Sequence, residues 1–295
     1  MTDARLRALL EDVPAAEDVP LAAHTTMGVG GAARLALFPR TEGQLCRVLR
    51  VLQEEDVPFA LLGRGSNVLV SDKGVRVAVF TAEVNGLSRT PRGVRAGCGA
   101  SLSALLRFAL GQGLGGNAYL AGIPASVGGA VFMNAGARGR YIGPHVLRAE
   151  VWQGGKACVW DNERCRFAYK HTAFMESGAA VLAAEIAFFP ADPAEERARI
   201  AAALAARGGL PKGRSMGCVF RNPPEGPAGA FIEAAGLKGA RCGGAVVSAR
   251  HANFILNEGG ATAEDVRALI GRVQGEVLRR TGIALQEEIR YIGEF

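Results

Sequence analysis

GIPASVGGAVFMNAG, residues 122–136, carries Gly, Ala or Ser at eight of its fifteen positions. An ordinary core strand or helix does not need so little side chain over such a length. Glycine admits positive φ and lets main chain approach another molecule closely, so the stretch suits backbone laid against a flat ligand. A tight turn buried between packed elements has the same composition, and the segment alone leaves both readings open. A second small-residue loop closes the strand-like run LLGRGSN at 61–67. Two such loops in one chain point to a large, phosphate-bearing cofactor.

The chain has 295 residues, enough for two domains or for one large domain with a satellite. Its 40 glycines follow no Gly-X-Y period and sit among 49% hydrophobic residues, so they mark tight backbone sites and not collagen or disorder. A net charge of +6 suits an anionic small molecule. No dense Lys/Arg stripe interleaved with aromatics is present, and nucleic acid is not expected as a partner. Six cysteines (46, 98, 158, 165, 218 and 242) form no CxxC pair, and four histidines (24, 145, 171 and 251) have no metal-ligand spacing. Neither a metal site nor a disulfide framework is expected, and the thiols fit a reducing cytoplasm. Acids in the first apolar turns argue against a signal peptide. The most apolar stretch, 179–191, is interrupted by Glu185 and too short to span a bilayer, so a cytoplasmic protein without membrane insertion is expected.

Along the chain, Thr41 can cap a helix with Leu45, Val48, Leu49 and Leu52 on one face, closed by Pro58. Runs 59–62, 75–81, 94–97, 148–152 and 180–189 read as strands. Ser101 to Leu110 reads as a helix with Leu102, Leu105, Leu106 and Ala109 inward. Asp192-Pro193 opens another helix, to Arg207, that Gly208 can end. Thr262 and Asp265 resemble a capping pair for a helix with Val266, Leu269, Ile270, Val273 and Val277 inward, ended by Gly282. LQEEIRYIG (285–293) reads as a terminal strand. The mixture is α+β, without the regular alternation of a doubly wound sheet.

Gly111, Gly113 and Gly116 satisfy GxGxxG, but they follow a helix where the dinucleotide fingerprint needs a preceding strand, so a helix C-terminus is the better reading. Gly63-Arg64-Gly65-Ser66-Asn67 lacks the Lys-Ser/Thr of a P-loop. What remains is a run of backbone N–H groups that can hold a phosphate without helix or metal, or simply a glycine turn. In RSMGCVFRNP (214–223), Cys218 puts a proton-bearing thiol near Arg221 and Asn222, a set able to protonate an anion; a small buried cysteine is the alternative. Glu288 and Arg290 share a strand face at i and i+2, and could equally be a solvated ion pair. YKHTAF (169–174) offers a Tyr, a Lys and a His.

The ordered set HTTMGVGG (24–31), LLGRGSNVLVSDKG (61–74), AGIPASVGGAVFMNAGA (121–137), CRFAYKHTAF (165–174), GCVFRNP (217–223), AAGLKGARCGGAVVSARHANFILN (234–257) and LQEEIRYIG (285–293) resembles the UDP-N-acetylenolpyruvoylglucosamine reductases of peptidoglycan synthesis, shorter subtype, over about residues 20–295. The resemblance implies an FAD-binding fold of the vanillyl-alcohol-oxidase/PCMH type plus a C-terminal α+β substrate domain. The implied division is an N-terminal extension or helix at 1–20, an FAD-binding domain at 21–190 (subdomains of about 21–80 and 81–190), and a substrate domain at 191–295. FAD, held non-covalently, would lie on Gly63, Arg64, Gly65, Ser66 and Asn67 and on Ala121, Gly122, Ile123, Pro124, Ser126, Gly128 and Gly129. NADPH would reduce the flavin, NADP⁺ would leave, and the enolpyruvyl sugar nucleotide would enter.

Hydride delivered to C3 of the enolpyruvyl group leaves negative charge at C2, delocalised into the carboxylate, and C2 then needs a proton. The family's serine donor falls on Cys218, a thiol of ordinary pKa ~8.5 and so a better acid than an alcohol. The family's glutamate falls on Glu288, not Glu287, because Leu285 sets the register. Its Tyr-Arg pair is Tyr169-Lys170, and a lysine cannot make arginine's bidentate carboxylate clamp, so Arg290 could share that load. Tyr169, Arg221, Asn222 and Arg290 are the expected substrate contacts. Ala125 stands where the family has glycine, which asks for negative φ there, and Leu210 stands where it often has Gln. Another FAD-linked oxidoreductase with the same cofactor domain, or a non-catalytic flavin-binding homologue, are the alternatives.

Overall fold

In the computed structural model, which describes residues 2–295, the chain packs as two compact units. The first holds the residues up to Ala16, then Ala36–Arg64 and Val77–Gly208; the second holds Glu17–Leu35, Gly65–Arg76 and Gly209–Phe295. The chain therefore interleaves, passing from one unit to the other several times.

Capping chemistry sets the helices of the first unit. Thr41 accepts from the Gln44 N–H at 3.1 Å and opens helix Glu42–Glu54, which buries Leu45, Val48, Leu49 and Leu52 as its spacing requires. Four such side chains contribute on the order of 2 kcal/mol each through apolar burial. Pro58 precedes strand Phe59–Leu62, which pairs in parallel with Val75–Phe80, Phe59 opposite Val77 and Leu62 opposite Phe80. A five-stranded antiparallel sheet follows, in the order Lys156–Asp161, Val146–Gln153, Ala180–Ala187, Gly93–Gly97, Leu87–Thr90. Helix Leu102–Gly111, capped by Ser101, packs Leu102, Leu105, Leu106 and Ala109 into the core of this unit. The GxGxxG glycines lie at that helix's end and in the turn beyond it, Gly113 at φ 69° and Gly116 at φ 111°. Glu196, buried on helix Pro193–Ala205, accepts the Gly116 N–H at 3.1 Å.

One expectation about the small-residue stretch is corrected. Residues 127–132 form a short helix, Val127–Phe132, whose N-cap is Ser126. Its Val127, Ala130 and Val131 are fully buried, so small residues here serve close packing of helix on sheet as well as an open backbone. Ala125 is absent from the positive-φ positions among the described residues, as an alanine there requires.

The second unit centres on an antiparallel sheet in the order Arg214–Cys218, Phe254–Asn257, Ala245–Val247, Arg241–Cys242. Helix Ala263–Thr281 covers it with Val266, Leu269, Ile270, Val273 and Val277. Thr262 and Asp265 form a reciprocal capping box, and Gly282 ends the helix at φ 74°. Asp72 adds a second cap, accepting from the N–H groups of Ala263 at 2.9 Å and Glu264 at 3.1 Å. The expected strand 285–293 is shorter than its sequence suggests. Only Arg290–Ile292 pairs regularly, in parallel with Val68–Val70, and Glu287 makes a single antiparallel bridge to Phe220. Leu285 and Ile289 are buried, while Glu287, which would share their face in an extended strand, is only half-buried.

Candidate active site

In the first unit the head of one small-residue loop meets the other. Gly63 lies so close to Ser126 that an added Cβ would stand 2.4 Å from its Oγ. Ser126 is buried and holds its own helix start by accepting the Gly129 N–H at 3.3 Å. The Ala125 carbonyl accepts from Leu102 N–H at 3.1 Å, and the Val127 and Gly128 N–H groups donate to Ala100 and Cys98 at 2.7 and 2.8 Å. Within 121–129, Ala121 is buried with Ser126, Ile123 and Gly128 are half-buried, and Gly122, Pro124 and Gly129 are exposed. Arg64, at the head of the other loop, is exposed.

Tyr169 and Lys170 sit at the tip of a tight turn closed by paired bonds between Ala168 and His171, at 3.0 and 3.3 Å. Lys170 has φ 52°, a left-handed conformation costing a non-glycine residue on the order of 1 kcal/mol. Asn134, buried near the end of the small-residue segment, holds the turn in place. Its Nδ2 donates to the Ala168 carbonyl at 2.7 Å and its Oδ1 accepts from Gly143 N–H at 2.9 Å. Thr172 adds a bond from its hydroxyl to the Phe132 carbonyl at 2.7 Å. Tyr169 packs edge-on against Tyr141, ring centres 6.0 Å apart, beside an open hollow of about 610 Å³ that these two tyrosines, Phe167 and Asn134 help to line.

In the second unit, Gly65 is buried and tightly constrained. It has φ 59°, and a Cβ there would lie 2.2 Å from the His24 carbonyl oxygen. Glycine is the residue this position accepts. Among the described residues, the N–H groups of residues 64–67 donate to no other main-chain carbonyl. Asn67 instead uses its carbonyl to accept from Arg290 N–H at 3.0 Å, and its Nδ2 to donate to the Glu288 carbonyl at 3.2 Å.

Cys218, half-buried, ends strand Arg214–Cys218, directly after Gly217 at φ 78°. The residues beyond it are held by Asn253, which is 2% exposed. Its Oδ1 accepts from Phe220 N–H at 2.9 Å, its Nδ2 donates to the Phe220 carbonyl at 2.8 Å, and its own carbonyl accepts from Val219 N–H at 2.9 Å. Glu288 N–H donates to the Val219 carbonyl at 2.7 Å, and Arg221 N–H donates to Gln286 at 2.9 Å. The stretches carrying Cys218 and Glu288 are thus hydrogen-bonded neighbours. Arg221 has a buried Nε without a hydrogen-bond partner among the described residues, while exposed Asn222 accepts the Ala228 N–H at 3.0 Å. Burial and the neighbouring Glu287 carboxylate push the pKa of Tyr291 up.

Two other thiols are chemically quiet. Burial raises Cys98 to about 12 and Cys165 to about 11, so neither is a nucleophile near neutrality. Among the described residues no cluster of His, Cys, Asp or Glu is arranged to hold a metal, and no helix is long and apolar enough to cross a membrane. Sequence reasoning did not single out Asn134 or Asn253. Each stands inside a motif of the resemblance, but its partners are distant in sequence, and nothing local marks a clamp.

Residues 33–156 match the FAD binding domain, and residues 210–292 match the C-terminal domain of UDP-N-acetylenolpyruvoylglucosamine reductase. A fold of this kind, with tight glycine loops in its cofactor region and a distinct C-terminal domain, defines an FAD-binding protein of the PCMH type, as expected. Alkyldihydroxyacetonephosphate synthase, 14% identical with a TM-score of 0.51 over 64% of this chain and 41% of that one, shares the fold alone. UDP-N-acetylenolpyruvoylglucosamine reductase from Heliobacterium modesticaldum is 41% identical over 281 residues, 93% of this chain and 90% of the relative. The enzyme of the same name from Moorella thermoacetica is 41% identical over 279 residues, 93% and 92% of the two chains. The crystal structure of UDP-N-acetylenolpyruvylglucosamine reductase from Thermus caldophilus superimposes with a TM-score of 0.80 at 35% identity, covering 95% of this chain and 99% of that one. The chain belongs to the UDP-N-acetylenolpyruvoylglucosamine reductase family.

Proposed function

We propose that the chain reduces the enolpyruvyl group of UDP-N-acetylglucosamine enolpyruvate to give UDP-N-acetylmuramate, with NADPH as reductant and non-covalent FAD, in cytoplasmic peptidoglycan synthesis. The observation that carries this reading is the bond from Glu288 N–H to the Val219 carbonyl. It joins GCVFRNP and LQEEIR, the two elements that distinguish these reductases from other FAD-linked oxidases, inside a region matched by the reductase C-terminal domain. FAD binding is assigned to residues 21–190, in subdomains of about 21–80 and 81–190, and substrate binding to 191–295, although residues 17–35 and 65–76 pack with the second unit.

The residues present suit FAD. Among the described residues, the N–H groups of 64–67 are unclaimed by other main-chain carbonyls, and a pyrophosphate is an acceptor for such donors. The exposed backbone at Gly122 and Gly129 allows close approach of a flat ring. When bound, the cofactor supplies the hydride chemistry between NADPH and substrate C3. The chain's own residues handle charge and protons. Lys170 and Arg290 are assigned as cations for the substrate carboxylate as charge builds at C2. Cys218 is assigned as the acid that protonates C2, and Glu288 as the group that polarises the carboxylate or an intervening water. Tyr169, Arg221 and Asn222 are assigned to substrate binding.

Steady-state NADPH oxidation, measured with and without the enolpyruvyl sugar nucleotide, tests the whole reading. Turnover that depends on the sugar nucleotide and yields one reduced product per NADPH is expected. NADPH oxidation indifferent to it would indicate another FAD-linked oxidoreductase, and no oxidation at all a non-catalytic flavin binder.

A further inference from the structure

We propose that Asn67 is a positioning residue for the acid machinery: its side-chain amide fixes Glu288, and so the loop on which the flavin is expected to rest also sets the geometry of the protonation step. This inference rests on the assignment of Glu288 above. The argument begins with the main chain of residue 288. Residues 286–289 lie outside any regular strand, so no ladder satisfies their polar groups. The Glu288 N–H is taken by the Val219 carbonyl at 2.7 Å, from the side of Cys218. The Glu288 carbonyl is taken by the Asn67 Nδ2 at 3.2 Å, from the side of the glycine loop. Two residues on, Arg290 N–H donates to the Asn67 carbonyl at 3.0 Å, where the parallel pairing with Val68–Val70 begins. One asparagine therefore grips the backbone on both sides of Ile289, and residue 288 is pinned between it and Val219.

The same loop is tied to the strand of the thiol. Thr26 N–H donates to the Gly65 carbonyl at 3.0 Å, and the Thr26 hydroxyl donates to the Ser215 carbonyl at 2.6 Å. Ser215 N–H returns a bond to the Thr26 carbonyl at 3.0 Å. Loop 65–67 thus underlies both the Cys218 strand and the Glu288 segment. The link from the Asn67 side chain to Glu288 is one that a point substitution removes while leaving the Thr26 bonds in place. An aspartate has the same size but cannot donate, and would set an oxygen against the Glu288 carbonyl.

The test uses the intact flavoprotein and separates the two half-reactions by anaerobic stopped-flow. Because Asn67 belongs to the loop assigned to FAD, Asn67→Ala and Asn67→Asp are compared with the parent as flavin-replete protein, and their loss in reoxidation should exceed any loss in reduction by NADPH by about tenfold or more. Their limiting rate of reoxidation at saturating enolpyruvyl sugar nucleotide should fall about 10- to 100-fold, the scale of a misplaced catalytic group, with the substrate's apparent Kd within about twofold. Glu288→Gln alone should show the same selective defect. Because Asn67 acts through Glu288, Asn67→Ala/Glu288→Gln should reoxidise no more than about twofold more slowly than Glu288→Gln. A multiplicative loss in the double variant, or equal slowing of both half-reactions in the flavin-replete protein, overturns the proposal and leaves Asn67 a cofactor contact or a general structural support. Should Asn67→Ala fail to fold, Asn67→Asp carries the same comparison. A parental Glu288→Gln sinks the role of Glu288 and this inference with it, whereas a slowed Glu288→Gln beside an unaffected Asn67→Ala and Asn67→Asp sinks this inference alone.

Discussion

Replacing Asn253 with alanine should be among the costliest single changes in the second unit. The side chain is 2% exposed and does one thing, bonding both main-chain groups of Phe220, itself 2% exposed, at 2.9 and 2.8 Å. Alanine keeps the main-chain bond from Val219 N–H to the residue 253 carbonyl but leaves a buried N–H and a buried C=O without partners. Each stranded group costs about 1–3 kcal/mol, so the variant should lose about 2–6 kcal/mol. That is a large share of the ~5–15 kcal/mol that typically separates folded from unfolded. The comparison variant is Asn222→Ala, where an exposed side chain accepts the Ala228 N–H at 3.0 Å and the loss should be smaller than in Asn253→Ala. Urea denaturation followed by far-ultraviolet circular dichroism, with slopes checked for constancy, gives both numbers. A loss below about 1 kcal/mol for Asn253→Ala, or equal losses in the two variants, would refute the reasoning that buried main-chain satisfaction at Phe220 holds the Cys218 loop.

Three further outcomes are expected. Cys218→Ala should lose about 10²- to 10⁴-fold in reoxidation, the usual worth of a general acid, while Cys218→Ser keeps a substantial part; parental turnover in Cys218→Ala would make Cys218 a packed thiol only. Lys170→Ala should slow reoxidation and Lys170→Arg should hold or raise it, since a guanidinium restores bidentate geometry; an unchanged rate in Lys170→Ala moves the role to Arg290. Native protein treated with iodoacetamide at about pH 8 should remain unmodified at Cys98 and Cys165, whose buried thiols stay protonated; peptide mapping that finds either alkylated before unfolding contradicts their burial.

The sequence displays its helices through local chemistry. Thr41, Asp192 and Thr262 are read as caps, and each accepts the hydrogen bond its helix start requires; Ser101, read only as the start of a helix, caps its helix as well. Inward faces follow the same logic, because the apolar spacing of 42–54 and 263–281 is long enough to fix a period. Short or glycine-rich elements are less visible. Helix Val127–Phe132 has only six residues with two glycines among them, so propensity argues against it and tertiary packing makes it. The segment 285–289 misleads because its apolar residues suggest a strand while its hydrogen bonds go to two separate loops. The same is true of the site. Cys218, Glu288 and Lys170 stand in recognisable motifs, but the asparagines that hold their backbones act across 33 to 221 residues of chain. No local pattern encodes such a partner.

The most direct test of the proposed activity is an anaerobic half-reaction. Protein bleached with one equivalent of NADPH is mixed with the enolpyruvyl sugar nucleotide in the absence of oxygen, and the oxidised flavin spectrum is followed. The account predicts that the yellow colour returns on the timescale of turnover, in step with formation of one saturated lactyl ether per flavin. A flavin that stays bleached until air is admitted, with the sugar nucleotide recovered unchanged, would contradict it.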